Sequence, residues 1–274
     1  MFLRQSWQLT NPRSLIWDQM LSILFRLFGP FPALIFGDTL VLDRWLWLRK
    51  NLPLTDQSVV LVDVGCGSGT YTNTAARRGY DAIGISFDLA QNEKGRRRAA
   101  WAGVSSKFLD FDIRELNNLR HLRGTVDVVI CTETIEHILN DHKLMVDIAA
   151  CLKVGGILLM TAPYENYRSI TQDDDGPFSG LEDGGHVRRG YSEESYRKLC
   201  KVAGLEIQSL GFCSGFMSQM VTKFLRKMSA IHYAFGWFII LPLRILPPLL
   251  DPIISLTGGW PPYSITLVAM KSKI

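Results

Sequence analysis

The sequence predicts an α/β fold: a mostly parallel sheet flanked by helices. Three observations carry the prediction. Short β-branched runs alternate with helical patterns through the middle of the chain. One buried run ends in a glycine cluster directly before a helix. Hydrophobic residues make up 47% and charged residues 20% of the 274 residues, enough for a large core and too apolar for global disorder.

Strands are expected at 59–64, 81–86, 106–110, 126–132 and 156–161, with two more at 205–212 and 263–271, seven in all. Helices are expected between them at 70–78, 89–102, 141–152 and 192–203. Three segments fall outside this alternation. Residues 1–52 carry two apolar helical stretches, 15–28 and 39–49; in the first, Ile16, Trp17, Met20, Leu21, Leu24, Leu27 and Phe28 fall on one face. Residues 164–190 read as a polar loop rich in Gly and Asp, and 214–261 as a long apolar insertion before the last strand. The expected organisation is an N-terminal helical cap (1–52), a core (53–213), the insertion (214–261) and a closing antiparallel strand (262–274).

Composition bounds the function. A net charge of +4 suits an anionic ligand or surface but is too diffuse to argue for nucleic acid. The five cysteines, Cys66, Cys131, Cys151, Cys200 and Cys213, form no C-x-x-C pair, so free thiols in a reducing, cytoplasmic setting are expected. The opening MFLRQSWQLTNPRS lacks the apolar run of a secretory signal. The apolar stretch 235–254 is broken by Pro242, Arg244, Pro247, Pro248, Asp251 and Pro252, which makes it a poor bilayer-crossing segment, although it can lie on a membrane.

The strongest motif is VLVDVGCGSGT, from Val60 to Thr70. Glycines at 65, 67 and 69 permit a tight turn and a close backbone approach to a ligand at the strand's carboxyl end. A dinucleotide fingerprint would need glycine at 70 or 72, and both are Thr; a phosphate-loop Gly-Lys-Ser/Thr is absent. What remains resembles motif I of class I S-adenosylmethionine-dependent methyltransferases, which implies a Rossmann-like seven-stranded sheet and S-adenosylmethionine as co-substrate. The resemblance implies that Asp63 orients the loop and the methionyl end, and that Gly65, Cys66, Gly67 and Gly69 border the cofactor.

The other motifs follow in the family's order across about residues 58–212. The second strand ends AIGISFD, where the family's ribose-binding acid is replaced by Ser86. A related pattern in lipid-modifying cyclopropane synthases pairs a hydroxyl residue with Gln five positions on. By that likeness Ser86 and Gln91 share the ribose and Phe87 lies against the adenine; alternatively, Asp88 and Gln91 form a helix capping box. In DFDIREL, Asp112 and the Ile113 amide resemble the adenine readers. VDVVICTETIEH resembles the family's fourth-strand pattern and brings Thr132, Glu133, Glu136 and His137 to the strand's end. LKVGGILLMTA matches the following turn and strand, with Val154 for the usual Pro, and GHVRRGYS resembles a segment before the last core helix.

Methyl transfer is an in-line displacement, so alignment and water exclusion matter most, and a base is an aid for oxygen or nitrogen acceptors. His137, His186 and Glu133 are the candidate catalytic groups. For His137 the competing reading is a turn lock beneath the cofactor; for His186 it is a substrate contact or a solvated loop residue. Glu133, Glu136, His137 and His186 also resemble the divalent-metal ligands of some members, but the same pattern is widespread without metal and none is expected here. The acidic run 173–175 reads as a solvated loop.

The N-terminal helices and the insertion are expected to cap the face where cofactor and acceptor meet. Both are rich in large apolar groups, among them Trp45, Trp47, Phe216, Phe224, Phe235, Trp237, Phe238 and Trp260. Within 214–261, Lys223, Arg226, Lys227 and Arg244 stand against Asp251, a composition that suits anionic lipid. Packing as a cap or a homodimer interface is the alternative. The expected acceptor is a hydrophobic or membrane-delivered small molecule such as a quinone, isoprenoid or lipid, with the enzyme peripheral to the membrane. A soluble metabolite or sugar acceptor, and a non-catalytic membrane-attached binding protein, are the competing readings.

Overall fold

Apolar residues that alternate along each strand divide the molecule into layers. In a computed structural model, which describes residues 12–37, 39–55, 58–170, 176–231 and 233–272, seven strands form one sheet. They are β1 (Val60–Val64), β2 (Asp81–Ser86), β3 (Ser106–Asp110), β4 (Val126–Thr132), β5 (Leu152–Pro163), β6 (Leu205–Cys213) and β7 (Ser264–Lys271). The order is β3-β2-β1-β4-β5-β7-β6, with only β7 antiparallel to its neighbours. The acidic run 173–175 and the opening residues 1–11 lie outside the described residues.

The helices are α1 (Pro12–Phe28), α2 (Phe31–Ile35), α3 (Thr39–Asn51), α4 (Thr70–Arg77), α5 (Leu89–Ala102), α6 (Asp141–Cys151), α7 (Glu193–Ala203), α8 (Phe216–Ile231), α9 (Tyr233–Ile240) and α10 (Leu246–Gly258). On one face Val62, Val64, Val129, Cys131, Leu158 and Met160 pack with Leu144, Ile148, Tyr196 and Leu199 of α6 and α7. On the other, Leu61, Val128, Ile130 and Leu159 pack with Trp45 and Leu48 of α3 and with Tyr71 and Ala75 of α4. This period-two division is what a sheet buried on both faces requires. Local sequence sets the helix ends: Asp88 accepts from the Gln91 amide to start α5, and Ser192 and Ser195 form a reciprocal capping box at α7.

β5 runs past its expected end because antiparallel pairing with β7 continues from Ile157↔Met270 to Pro163↔Ser264, and it starts early where Leu152 pairs with Val126 of β4. The proline-broken insertion folds as three helices and a short 3₁₀ turn: Pro247 and Pro248 sit at the start of α10, where no intrahelical N–H is lost, and Pro252 is carried inside it. Because β6 is antiparallel to β7 and β7 to β5, the insertion leaves β6 at the carboxyl edge of the parallel strands. Of the N-terminal helices expected there, α3 reaches this edge. Helix α1 lies along α5 instead, with Phe25 against Trp101 and Asp18 3.7 Å from Arg97. Among the described residues no helix is long and apolar enough to cross a membrane.

Candidate active site

The carboxyl ends of β1, β2 and β4 surround a cavity of about 670 Å³, within the range of small-molecule sites. Its walls include Gly65, Gly67, Ser86, Phe87, Gln91, Asp112, Ile113, Glu133, Thr134 and His137. The structure therefore brings together most of the residues singled out from the sequence. The glycine loop explains why. Gly65 (φ 77°) sits so close to Thr134 that an added Cβ would lie 2.4 Å from its side chain, while Gly67 (φ 49°) faces open space. Gly65 and Cys66 amides both donate to the Ile85 carbonyl, which fastens the loop to β2.

Four singled-out residues act from behind the wall. Asp63 is fully buried beneath the loop and accepts from Thr72 Oγ1 at 2.7 Å; burial pushes its carboxyl up to about 6 against the lowering effect of that bond. The Cys66 side chain turns inward toward Asn92 and Gly84, leaving only its backbone near the loop's outer surface. Gly69 is the αL residue before α4, and a Cβ there would meet Phe108 at 2.4 Å, so this glycine serves helix–sheet packing. Thr132 is buried at the end of β4.

Beyond β2, Ser86 Oγ accepts from the Asp88 amide, and the cap on α5 coexists with a Gln91 side chain that borders the cavity. Phe87 is 69% exposed, leaving its ring free for a stacking partner. Asp112 is held by Arg114, whose Nε lies 2.9 Å from the carboxylate; this hydrogen bond keeps Asp112 below the usual carboxylate range. Arg114 also pairs with Glu182 at 2.7 Å, and Glu182 accepts from the Leu139 amide. This chain of bonds draws the 176–190 loop across the cavity mouth.

At the end of β4, Glu133 adopts φ 47° and is committed to structural partners. One oxygen accepts from Thr161 and Ser264 at 2.9 and 3.1 Å, and the other pairs with Arg44 of α3 at 2.9 Å. Burial is the largest single influence and works against the Arg44 charge, but Glu133 together with Tyr71, Cys213 and Tyr263 outweighs it and leaves the guanidinium's pKa above its ordinary value. These contacts fix the Glu133 side chain between α3, β5 and β7. His137 is better placed: it borders the cavity, and Nδ1 lies 2.9 Å from the Gly185 carbonyl. A carbonyl only accepts, so Nδ1 carries the proton and the lone pair is on Nε2, which lies 3.9 Å from the buried Glu136 Oε1.

His186 packs edge-on against His137, ring centroids 4.7 Å apart. Its segment is pinned by Arg188, which pairs with Asp141 and donates to the Ile138 and Leu139 carbonyls, and by Tyr191, which donates to Asp141 at 2.9 Å. Glu136 is fully buried, and neither of its oxygens has a hydrogen-bond partner. Burial and the nearby Glu133 push its carboxyl well above the usual range. Donor atoms of Glu136, His137 and His186 lie within 4.8 Å of one another, a carboxylate–imidazole set that suits a divalent transition metal.

Sequence reasoning passed over Arg44, Thr134, Arg114, Glu182 and Ser264. None of the five stands out from its neighbours in the sequence.

A strand order of 3-2-1-4-5-7-6 with a glycine loop under a cavity at its carboxyl edge is the fold of the class I S-adenosylmethionine-dependent methyltransferases, and the chain belongs to the methyltransferase domain family, matched over residues 43–210. Among curated relatives, a ubiquinone biosynthesis O-methyltransferase of Shewanella pealeana is 29% identical over 112 residues, 41% of this chain and 47% of that protein. The chain spans about half the length of the curated relatives it matches. A geranyl diphosphate C-methyltransferase from Streptomyces coelicolor A3(2) superposes with TM-score 0.52 at 18% identity, covering 82% of this chain and 76% of that one. The [4+2]-cyclase SpnF superposes with TM-score 0.55 at 21% identity, covering 84% and 80%. These structural likenesses show the fold, and a fold alone does not fix the reaction.

Proposed function

We propose that this chain transfers a methyl group from S-adenosylmethionine to a lipophilic small molecule delivered at a membrane surface. The observation that carries the reading is the outward face of the insertion. Met220, Phe224 and Ile231 on α8, and Ile245, Leu249, Ile253 and Leu256 along α10 and its approach, are all exposed. Their spacing of three, four and seven lines them up along single helix faces, with Lys227 among them on α8. Apolar helices that face water beside an active-site edge suit a lipid surface or a greasy ligand better than a soluble sugar. The relatives named for ubiquinone biosynthesis and for geranyl diphosphate point the same way.

S-adenosylmethionine fits the cavity. Gly67 leaves room for a ligand against the backbone, and the donor supplies an electrophilic methyl when bound. Gly65 and Gly67 would border its methionyl end, Ser86 and Gln91 the ribose, and Phe87, Asp112 and Ile113 the adenine; a carboxylate has lone pairs beyond those Arg114 uses. His137 would accept a proton at Nε2 from an acceptor hydroxyl or amine, its ring held by the Gly185 carbonyl. The 176–190 loop, tied down through Glu182, Arg188 and Tyr191, would exclude water.

The test is to incubate the protein with methyl-labelled S-adenosylmethionine and a lipid extract, and to follow label into the organic phase. His137→Gln should lower turnover about 10²–10⁴-fold with cofactor affinity unchanged. Label confined to the aqueous phase would overturn the lipophilic acceptor. A second reading rests on the Glu136–His137–His186 cluster: an ion there would acidify an acceptor hydroxyl, making activity sensitive to chelation and restorable by a divalent metal. If so, His137 is a ligand and not a base, and His186→Ala would abolish metal dependence together with activity.

A further inference from the structure

A second cavity, of about 680 Å³, lies on the other side of α3, between that helix, the end of β6 and α10. Its walls are apolar: Leu46, Trp47, Phe212, Pro248 and Leu256 are among them. Its floor holds two buried acids, Asp43 (7% exposed) and Asp251 (6% exposed). Both carboxylates are within hydrogen-bonding reach of one hydroxyl, Ser218 Oγ. That hydroxyl has a single proton to donate, so one acid is left without a donor at that contact. Asp251 is otherwise satisfied by the Met217 and Ser218 amides. Asp43 is not: one oxygen takes Ser214 and Ser218, and the other, Oδ1, is buried with no hydrogen-bond partner. The adjacent cation, Arg44, is committed to Glu133.

We infer that this groove binds an amphiphile with a single ammonium head, the head at Asp43 and Asp251 and the apolar body along Trp47, Phe212 and the α10 prolines. Two like charges in an apolar pocket lack one cation, and an ammonium supplies both the charge and the donor that Asp43 Oδ1 lacks. Burial and the Asp251 charge push Asp43 up to about 6, the state of a carboxyl awaiting a counter-ion. Leu256, 86% exposed, borders the groove and continues the apolar ridge of α10, so an alkyl chain can leave a lipid surface and enter without crossing water. Exposed Lys50 also borders the groove and would favour an anion, which makes the choice of head group testable. The inference is separate from the methyl-transfer reading: such a molecule would bind whether or not it is methylated.

The experiment titrates the full chain with decylammonium, decanol and decanoate by calorimetry below their aggregation thresholds. Decylammonium is expected to bind at least tenfold more tightly than the other two. Asp43→Asn should erase that preference, and Ser255→Trp, which fills the groove, should remove binding of all three. Thermal melting of each variant checks the fold, independently of any S-adenosylmethionine binding. Decanoate or decanol equal to decylammonium, an unchanged preference in Asp43→Asn, or no binding to the unmodified protein would each overturn the proposal.

Discussion

Around β1, β2 and β3, the groups that shape the cavity are close in the chain: Asp63 with Thr72, Asp88 with Gln91, Asp112 with Arg114. Around β5, β7 and β6, the corresponding contacts join distant segments. Glu133 meets Arg44 and Ser264, Asp43 meets Ser214 and Ser218, and Arg244 donates to the Leu34 and Gly37 carbonyls. The first half is built from local turns and caps that form with the strands themselves. The second is a set of buried charged contacts that exists only when α3, the insertion and β7 have all docked. The β1–β3 side should therefore tolerate changes on the other side, whereas the β5–β7 side should respond as a unit.

The largest expected effect tests the local half. Asp tolerates left-handed backbone better than most residues, and Gly67 has φ 49° with open space above it, so Gly67→Asp should fold. Its carboxylate would occupy the cavity, and S-adenosylmethionine affinity should fall at least 100-fold by calorimetry. Unchanged affinity would remove the glycine loop from the cofactor site. Melting of the variant should stay near that of the parent, which separates this change from the one below.

Next in size is the joint between the halves. Arg44→Met leaves Glu133 facing a low-dielectric wall without its cation, and loss of one partner from a buried pair costs about 3–5 kcal/mol. Thr161 and Ser264 still donate to Glu133, so the lower end is expected, about 3 kcal/mol by urea unfolding. The double variant Arg44→Met, Glu133→Gln should recover most of the loss, since a neutral amide needs no counter-ion. If the double variant is as unstable as the single, the pair is not what joins the halves.

The same division decides what could be read from the sequence. Strands β2 and β4 and helix α5 stand where β-branched runs and Asp88 put them, because those signals act within a few residues. Ser86, Gln91, Asp112 and His137 were legible for the same reason: each sits at a fixed offset from a strand end. Arg44 and Ser264 were not, because a partner 220 residues away leaves no local mark. The insertion was read as an apolar helical cap, but where its helices begin and end was not legible, since its prolines resemble breaks until their places at the start of α10 are known. Glu133 was read as a base from position alone; only the structure reveals its contacts with Arg44, Thr161 and Ser264.

The smallest effect sharpens the comparison from the side of the insertion. Burial holds Asp43 at about 6 in the folded chain against 3.8 in the open. The folded state therefore binds the proton more tightly, and the stability this group confers is fully present below pH 3.8 and lost as pH rises through about 6. Across that window the stability of the parent relative to Asp43→Asn should fall by roughly 2–3 kcal/mol, then level off. The amide can donate to Asp251 at any pH, so the variant has no such slope and should be the more stable protein at pH 7. Urea unfolding of both proteins between pH 4 and 8 measures the difference, in which carboxylates elsewhere largely cancel. A difference independent of pH would mean that Asp43 is ionised throughout, its charge met by a partner other than a proton, and the link between α3 and the insertion would then be an ion pair and not a shared proton.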